Sequence, residues 1–319
     1  FHDFSIITPN LMENIDNKYD DCDKKLAASI AIKSFFGPII LSLFFSIILF
    51  DNNNQLYFQW QYFSPLLLAI IFITFILLFS QFYSNRFYVV VILITLGLSS
   101  VFSFGLHLAV VGYLYDNQSS LSPIYHSFGL YLMILSFFHY GEFQSTSLIN
   151  NNNNSITIQA FLLDNSIEYH LAIAISLTEF CIESWYFPNQ KFIFHPYLTY
   201  TGLIICIVGD SLRKLAMYTA GHNFNHIIQI DHYSDHQLIT TGIYSIFRHP
   251  SYVGWFYWSI GTQILLQNPI SLVGYAIVSW RFFKQRIQFE EITLINFFGP
   301  KYLIYKKEVP TGLPWIDGY

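Results

Sequence analysis

The chain has 319 residues, of which 53% are hydrophobic and only 11% are charged, whereas an average soluble domain has roughly a quarter charged residues. This composition argues against an ordinary soluble enzyme and against a disordered protein. The net charge of −5 argues against a nucleic-acid-binding protein, which normally carries a basic surface. The sequence therefore predicts an integral membrane protein.

Apolar stretches long enough to cross a bilayer, about 20 residues each, recur along the chain. A further apolar stretch near 251–283 is interrupted by Asn268-Pro269, a turn signal, so we expect two shorter helices that form a hairpin. Together with the six earlier stretches, this predicts an all-α protein with about eight transmembrane helices. The six earlier stretches lie near 33–50, 63–83, 87–115, 122–149, 167–187 and 196–219.

The distribution of positive charge predicts the orientation in the membrane. All fifteen Lys and Arg residues except Lys191 fall on one side of this arrangement. The positive-inside rule assigns that side, with both termini, to the cytosol. We therefore expect a cytosolic tail at 1–30, transmembrane helices within 31–219, and a region 220–319 in which the polar loop 220–250 and the C-terminal tail form a cytosolic pocket over the hairpin.

Several histidines lie in the polar loop, and among them His222 and His226 have a spacing seen in metal sites. His222 and His226 are four residues apart, which would place them on one face of a helix, as in many metalloenzymes. No adjacent pair of histidines accompanies them, as membrane di-iron enzymes would require. We favour loop histidines that form hydrogen bonds, and we predict no metal.

The segment Arg248–Gly254 marks the start of the hairpin. Pro250 suits the first turn of a helix, so His249 and the free N–H groups of that turn would face the cytosolic pocket. A helix N-terminus attracts anions such as a carboxylate. The alternative is an ordinary junction between loop and helix in which Arg248 lies at the membrane interface.

Arg286 and Glu290 follow the hairpin and are four residues apart, so they would share one helical face. A plain surface salt bridge would explain this spacing and would contribute little stability. Beside an apolar wall, however, Arg286 could bind a carboxylate and Glu290 an ammonium, which together would hold a zwitterionic ligand.

Ionisable residues at membrane depth are functional candidates by default. Glu179 and Glu183 share a helical face, and Asp210 could pair with Lys214. Because no ordered series of acids marks a proton path, we expect these residues to make polar contacts between helices.

The region from about 210 to 316 resembles isoprenylcysteine carboxyl methyltransferases, and the first two hundred residues resemble them only in hydropathy and helix count. The resemblance rests on several motifs, which are Arg213–Met217, Ala220–His226, Arg248–Gln263, Asn268-Pro269, Glu290-Glu291, Phe297–Gly299, Tyr302, Tyr305 and Val309–Pro314.

The resemblance implies a multi-pass enzyme of the endoplasmic reticulum membrane. Its reaction would methylate the C-terminal carboxylate of farnesylated or geranylgeranylated cysteine in processed CaaX proteins, such as small GTPases. The cofactor would be S-adenosylmethionine, and no metal or nucleic acid would be needed.

The resemblance also implies roles for particular residues. Arg286 matches an arginine that the family links to the substrate, so we expect it to bind substrate and act in catalysis. Gln237 lies where a Thr is expected, and a main-chain contact would survive that change. The implied cofactor contacts are Gln229, His236, Gln237, Leu238, Ile239, Tyr244, His249, Pro250, Ser251, Tyr252 and Glu290.

Three other classes of protein remain as alternatives. The Arg-His-Pro-x-Tyr-x-Gly element is also similar to that of phospholipid N-methyltransferases and of membrane sterol reductases. A reductase that uses NADPH would need basic residues for the 2′-phosphate, and Gly221–Phe247 contains no Lys or Arg. A transporter would leave the polar cytosolic tail without a purpose.

Overall fold

The computed structural model describes residues 23–48, 71, 74, 76–79, 85–114, 121–149, 156–163, 166–232 and 236–319. Within these ranges the regular structure is helical, as the sequence predicts. The α-helices are α1 (Lys24–Ile48), α2 (Arg86–Leu114), α3 (Ser122–Ile149), α4 (Ile167–Tyr186), α5 (Pro188–Lys191), α6 (Tyr197–Ala220), α7 (Pro250–Leu266), α8 (Pro269–Phe298) and α9 (Pro300–Glu308).

The helix bounds differ from the predicted stretches at two places. α1 begins at Lys24 rather than near 33, because Asp23 accepts hydrogen bonds from the N–H groups of Lys25 and Leu26 and so caps the helix. α8 continues to Phe298, well past the predicted end near 283. Its charged second half packs against α7 and against the segment 309–319, which we call the C-terminal tail. The predicted stretch 63–83 lies largely outside the described residues.

By length and composition, α2 is the one helix in the described ranges that could cross a membrane. The number of membrane spans therefore stays a prediction, as does the division at residues 30 and 219.

Contacts divide the chain into two compact units, of which the first comprises 1–103 and 139–163. Its core is aromatic: the rings of Phe35 and Tyr140 stack with centroids 4.1 Å apart, and those of Phe143 and Phe161 do the same at 4.1 Å. The Ser99 hydroxyl donates to the Phe35 carbonyl at 2.8 Å. These contacts join α1, α2 and α3 within the first unit.

The second unit comprises 104–138 and 164–319, and its central contact is between α6 and α7. Glycines let the two backbones touch: a Cβ atom on Gly202 would lie 2.3 Å from the Leu265 nitrogen, and one on Gly254 would lie 2.5 Å from the Gly209 carbonyl oxygen. Close approach at small residues is typical of helix packing in membranes. It also brings the start of α7 beside the end of α6.

The predicted hairpin turn at Asn268-Pro269 is confirmed. Gln267 adopts the left-handed conformation that ends a helix, with φ of 54°, and Pro269 is at the first turn of α8. Glu179 caps α8, because its two carboxylate oxygens accept from the N–H groups of Ile270 and Ser271, both at 2.7 Å. The polar contact predicted for Glu179 between helices is therefore a helix cap.

Candidate active site

The start of α7 is held in place by the C-terminal tail. Pro250 is in the first turn, as the sequence predicts, and His249 is the N-cap residue. The N–H of Arg248 donates to the Pro310 carbonyl at 2.8 Å, and that of His249 donates to the Thr311 carbonyl at 3.3 Å. The backbone that carries the Arg-His-Pro motif is thus fixed from outside α7.

Arg248 is buried, with 6% of its surface exposed, whereas the alternative of an ordinary junction would leave it exposed. Its Nε and Nη2 atoms each lie 2.9 Å from Oε1 of Glu291. It also donates to the carbonyls of Lys306 at 3.1 Å, Asp317 at 2.9 Å, and Val309. Arg248 therefore joins α7, α8 and the tail, because backbone carbonyls from the tail complete the set of acceptors that a buried guanidinium needs.

Glu291 is the buried partner of several positive or donor groups. Its carboxylate lies 3.2 Å from Lys306 Nζ and 3.3 Å from His249 Nε2, and it accepts from the Tyr319 N–H at 2.9 Å. Burial by itself would raise the pKa of Glu291, but the hydrogen bonds from His249 and Tyr319 and the charge of Arg248 lower the pKa to about 2. The sequence analysis assigned a role to Glu290, whereas its neighbour Glu291 is the buried partner of Arg248 and His249.

Tyr252 links Arg286 and Glu290. The Tyr252 hydroxyl donates to Oε2 of Glu290 at 2.5 Å and accepts from Nε of Arg286 at 2.9 Å. Both residues thus lie on the face of α8 that faces α7, which confirms the prediction of a shared helical face. Arg286 also donates from Nη2 to the His226 carbonyl. We call Tyr252, Arg286, Glu290 and His249 the Tyr252 cluster.

His249 connects the Tyr252 cluster to the buried ion pair. Its ring is stacked on that of Tyr252 with centroids 5.6 Å apart, and its Nδ1 lies 3.7 Å from Oε2 of Glu290. The other ring nitrogen faces Glu291. The Glu290 side chain is 28% exposed whereas that of Glu291 is fully buried, so the cluster is open on the Glu290 side.

Arg213 is a residue of this region that sequence reasoning did not assign to the site. It is 2% exposed, and its Nη1 donates to the hydroxyl of Ser251 at 2.7 Å. Its guanidinium lies over the Trp255 ring, 4.7 Å from the centroid. The signal in the sequence was an arginine within a mostly apolar helix. Its hydrogen bond places Ser251 in contact with α6.

The remaining predicted cofactor contacts lie in the loop before α7. Tyr244 is in the short helical turn Gly242–Ser245, where burial and then the negative charge of Glu290 raise its pKa. The His236 ring lies 5.6 Å from that of Phe297. The Gln237 N–H donates to the Asn223 side chain at 2.8 Å, so its main chain is held at this position.

Three further predicted contacts are less closely tied to the Tyr252 cluster. Leu238 packs against the buried group formed by Tyr302, Tyr305 and Val309. Gln229 and Ile239 are half-buried in the same loop. Their assignment to the cofactor stays a prediction.

The helical arrangement of His222 and His226 is wrong. α6 ends at Ala220, and a single turn at Gly221–Asn223 separates it from irregular backbone. The left-handed φ of 56° at Gly221 allows the chain to leave the helix there. Within the described ranges, no group of three or more His, Cys, Asp or Glu side chains could hold a metal ion.

The Tyr252 cluster combines a carboxylate, a guanidinium and a phenol around one hydroxyl. A carboxylate is suited to a ligand ammonium, and a guanidinium is suited to a ligand carboxylate. These two charges therefore fit one ligand ammonium at Glu290 and one ligand carboxylate at Arg286.

The comparisons with known proteins agree on one family. A model of the isoprenylcysteine carboxyl methyltransferase (ICMT) family matches residues 202–296. A Xenopus laevis protein-S-isoprenylcysteine O-methyltransferase is 56% identical over 191 residues, which are 60% of this chain and 65% of that relative. A Tribolium castaneum protein of the same name is 38% identical over 293 residues, which are 92% of this chain and 98% of the relative.

One solved structure is similar along nearly the whole chain. It is that of a eukaryotic intramembrane Ras methyltransferase, an isoprenylcysteine carboxyl methyltransferase. Its TM-score is 0.78 at 36% sequence identity, and the match covers 92% of this chain and 99% of that one. The similarity thus extends to the first two hundred residues, where the sequence motifs were not specific.

Proposed function

Because this chain belongs to the isoprenylcysteine carboxyl methyltransferase family, we propose that it is a membrane enzyme that methylates the C-terminal carboxylate of prenylated cysteine. The observation that carries the proposal is the Tyr252 cluster, in which one hydroxyl binds both Arg286 and Glu290. S-adenosylmethionine is the methyl donor, and its sulfonium-bound methyl group is the electrophile that it supplies. The protein substrates are processed CaaX proteins such as small GTPases.

The chemistry requires positioning more than acid–base catalysis. A C-terminal carboxylate has a pKa of about 3.5 and is already ionised at neutral pH, so no general base is needed to form the nucleophile. Alignment of nucleophile and methyl group can supply on the order of 7–11 kcal/mol of the barrier. The side chains must therefore orient two ligands and keep water away from them.

Arg286 is the residue that binds the substrate carboxylate. A guanidinium has five N–H donors in a planar arrangement that suits a carboxylate. Its Nε is directed by Tyr252 and one Nη by the His226 carbonyl, so two protein contacts orient the plane. A substrate carboxylate held there would be oriented for attack on the methyl group.

The residues around Glu290 fit the methionine part of the donor. The Glu290 carboxylate suits its ammonium, and the start of α7 beside His249 suits its carboxylate. The Tyr244 turn and neighbouring apolar residues of the loop would hold the adenine. Gln229, His236, Gln237, Leu238, Ile239, Pro250 and Ser251 complete this binding surface.

The hydrophobic composition serves the substrate as well as the fold. A prenyl chain is lipid-like, so it enters sideways between helices from the bilayer. We propose that the protein lies in the endoplasmic reticulum membrane as a multi-pass protein with about eight spans. Both termini and the pocket of 220–319 face the cytosol, where CaaX proteins are found.

The direct test uses membranes that contain the protein, labelled S-adenosylmethionine and a farnesylated cysteine analogue. We expect a methyl ester that releases labelled methanol in base. A matched analogue with a C-terminal amide should remain unlabelled, because it lacks the nucleophile. Label in base-stable lipid amines, with none on the cysteine analogue, would show that the proposed substrate is wrong.

A further inference from the structure

A second cleft lies at the opposite end of α7 from the Tyr252 cluster. It has a volume of about 470 Å³, within the range typical of small-molecule sites. The end of α4, the α5 turn, the start of α6 and the α7–α8 turn surround it. Leu266 is sixteen residues after Pro250 on α7, so the two sites are about 24 Å apart along the helix axis.

The charged groups beside this cleft already neutralise each other. Lys191 Nζ lies 2.8 Å from Glu183 Oε2, and it donates to the Gln267 carbonyl at 3.0 Å and to Oδ1 of Asn268 at 2.8 Å. These contacts use all three ammonium hydrogens. A phosphate or carboxylate ligand would therefore have to displace a protein partner of Lys191.

Gln267 carries a buried side-chain oxygen that lacks a hydrogen-bond partner among the described residues. Gln267 lines the cleft and is only 8% exposed. Its Nε2 donates to the Thr199 hydroxyl at 3.2 Å. Its Oε1 is buried and has no hydrogen-bond partner among the described residues. If the amide oxygen and nitrogen exchanged positions, the nitrogen would occupy the site without a partner. One amide atom therefore lacks a partner in either orientation.

The other walls of the cleft are mostly apolar, although Gln190 and the already hydrogen-bonded Gln263 also line it. They include Phe187, Ile193, Phe194 and Leu272. Most of a ligand's surface would contact hydrocarbon, and one end would meet the Gln267 amide. A hydroxyl suits that amide in both orientations, because it can donate and accept.

We propose that this cleft binds a membrane sterol, with the sterol hydroxyl on the Gln267 side chain. A sterol has one polar group at the end of a rigid apolar body, which matches a cleft with mostly apolar walls and one buried amide atom that lacks a partner. A diacylglycerol also carries ester carbonyls, which would need hydrogen-bond donors. The Lys191 ammonium cannot supply one, because its three hydrogens are already used. Gln267 ends α7 at the predicted membrane surface, the depth at which a sterol hydroxyl lies. The site is separate from methyl transfer and does not depend on the proposed function.

The test uses the full chain in phosphatidylcholine nanodiscs and a photoactivatable, clickable cholesterol analogue. Leu272→Trp fills the cleft, and we expect it to abolish specific labelling. Val273→Trp is the matched control, because Val273 is the adjacent residue on α8 but is exposed outside the cleft, and it should label normally. Gln267→Leu should weaken binding about fivefold, the effect of one hydrogen bond.

Peptide mapping and competition give readouts that do not depend on any one variant. Label should be found within 183–198 or 263–272, and unlabelled cholesterol should compete whereas diacylglycerol and phosphatidic acid should not. Label elsewhere, equal labelling of Leu272→Trp and Val273→Trp, or stronger competition by phosphatidic acid would each overturn the proposal. Methylation of the farnesylated analogue by each variant reports whether it is folded, and its outcome is read separately from labelling.

Discussion

The two ends of the α7–α8 hairpin use the same kinds of residue in different ways. At the α7–α8 turn, Glu179 binds backbone N–H groups of α8, and Lys191 is held by Glu183 and the turn itself. At the other end, Arg286 and Glu290 meet through the hydroxyl of Tyr252. One end stabilises the turn, whereas we propose that the other presents charges to a ligand.

The difference lies in the partner of each charge. A backbone N–H or carbonyl that is part of a helix end cannot move without unfolding that end, so a carboxylate bound to it has a structural role. A side-chain partner such as Tyr252 can rotate and can be replaced by a ligand group. Glu290 and Glu291 show the same contrast in adjacent residues, since Glu291 is fully buried and Glu290 is partly exposed.

The largest expected effect is that of Arg286→Ala on methyl transfer. Without the guanidinium the substrate carboxylate loses its orienting partner, and we expect kcat/KM for the farnesylated analogue to fall about 1,000-fold, or about 4 kcal/mol. Binding of S-adenosylmethionine, measured by calorimetry, should change little. Arg281→Ala is the control, because Arg281 lies on the same helix and is exposed. Near-normal turnover of Arg286→Ala would rule out the assigned role.

The second largest expected effect is the loss, in acid, of the stability that Glu291 contributes. Its pKa is lowered from 4.5 to about 2 in the folded protein, so its contribution to stability is present above pH 4.5 and is lost as the pH falls toward 2. The shift corresponds to about 3 kcal/mol. The melting temperature of the detergent-solubilised protein should fall between pH 5 and pH 3. Glu291→Gln should melt at a lower temperature at pH 7 and respond less to acid, and an equal acid response in both proteins would contradict this assignment.

Glu290→Gln should weaken binding of the methyl donor while leaving the fold intact. Loss of the charge opposite the ligand ammonium should raise KM for S-adenosylmethionine about 30-fold, or about 2 kcal/mol. Glu183→Gln is the control from the other end of the hairpin, and it should leave this KM unchanged. If both variants raised KM equally, the distinction between the two ends would be lost.

The smallest expected effect is that of Glu179→Ala. Removing the cap of α8 should lower the free energy of unfolding by about 1 kcal/mol. Because the cap is far from the Tyr252 cluster, KM for both substrates should stay the same. Thermal melting and steady-state kinetics on the same preparation check the two halves of this prediction. A change in KM without a change in melting would show that Glu179 is part of a functional site.

Much of the fold could be predicted from hydropathy, because long apolar stretches and the Asn268-Pro269 turn are local features. Asp210 and Lys214 also pair as predicted, at 3.0 Å, since four-residue spacing on a helix is a local property. The extension of α8 to Phe298 could not be predicted in this way. Its second half is charged, and it is helical because it packs against α7 and the tail.

The candidate site shows the same division. The motifs identified His249, Tyr252, Arg286 and Glu290, and the structure brings these four together. Sequence reasoning assigned no role to Glu291, and it left open whether Arg248 lies at the membrane interface. Neither point could be decided along the chain, because the carbonyls of α9 and the C-terminal tail that surround Arg248 are 58 to 69 residues away.

The sequence by itself determined the helical class, the turn, the family resemblance and the types of residue at the site. These depend on composition, on short spacings and on motifs, all of which can be read along the chain. Only the tertiary structure decided which charges are buried, which helix end Glu179 caps, and that Tyr252 joins Arg286 to Glu290. Those outcomes depend on distances between α4, α7, α8 and the tail, and such distances follow from packing of distant segments.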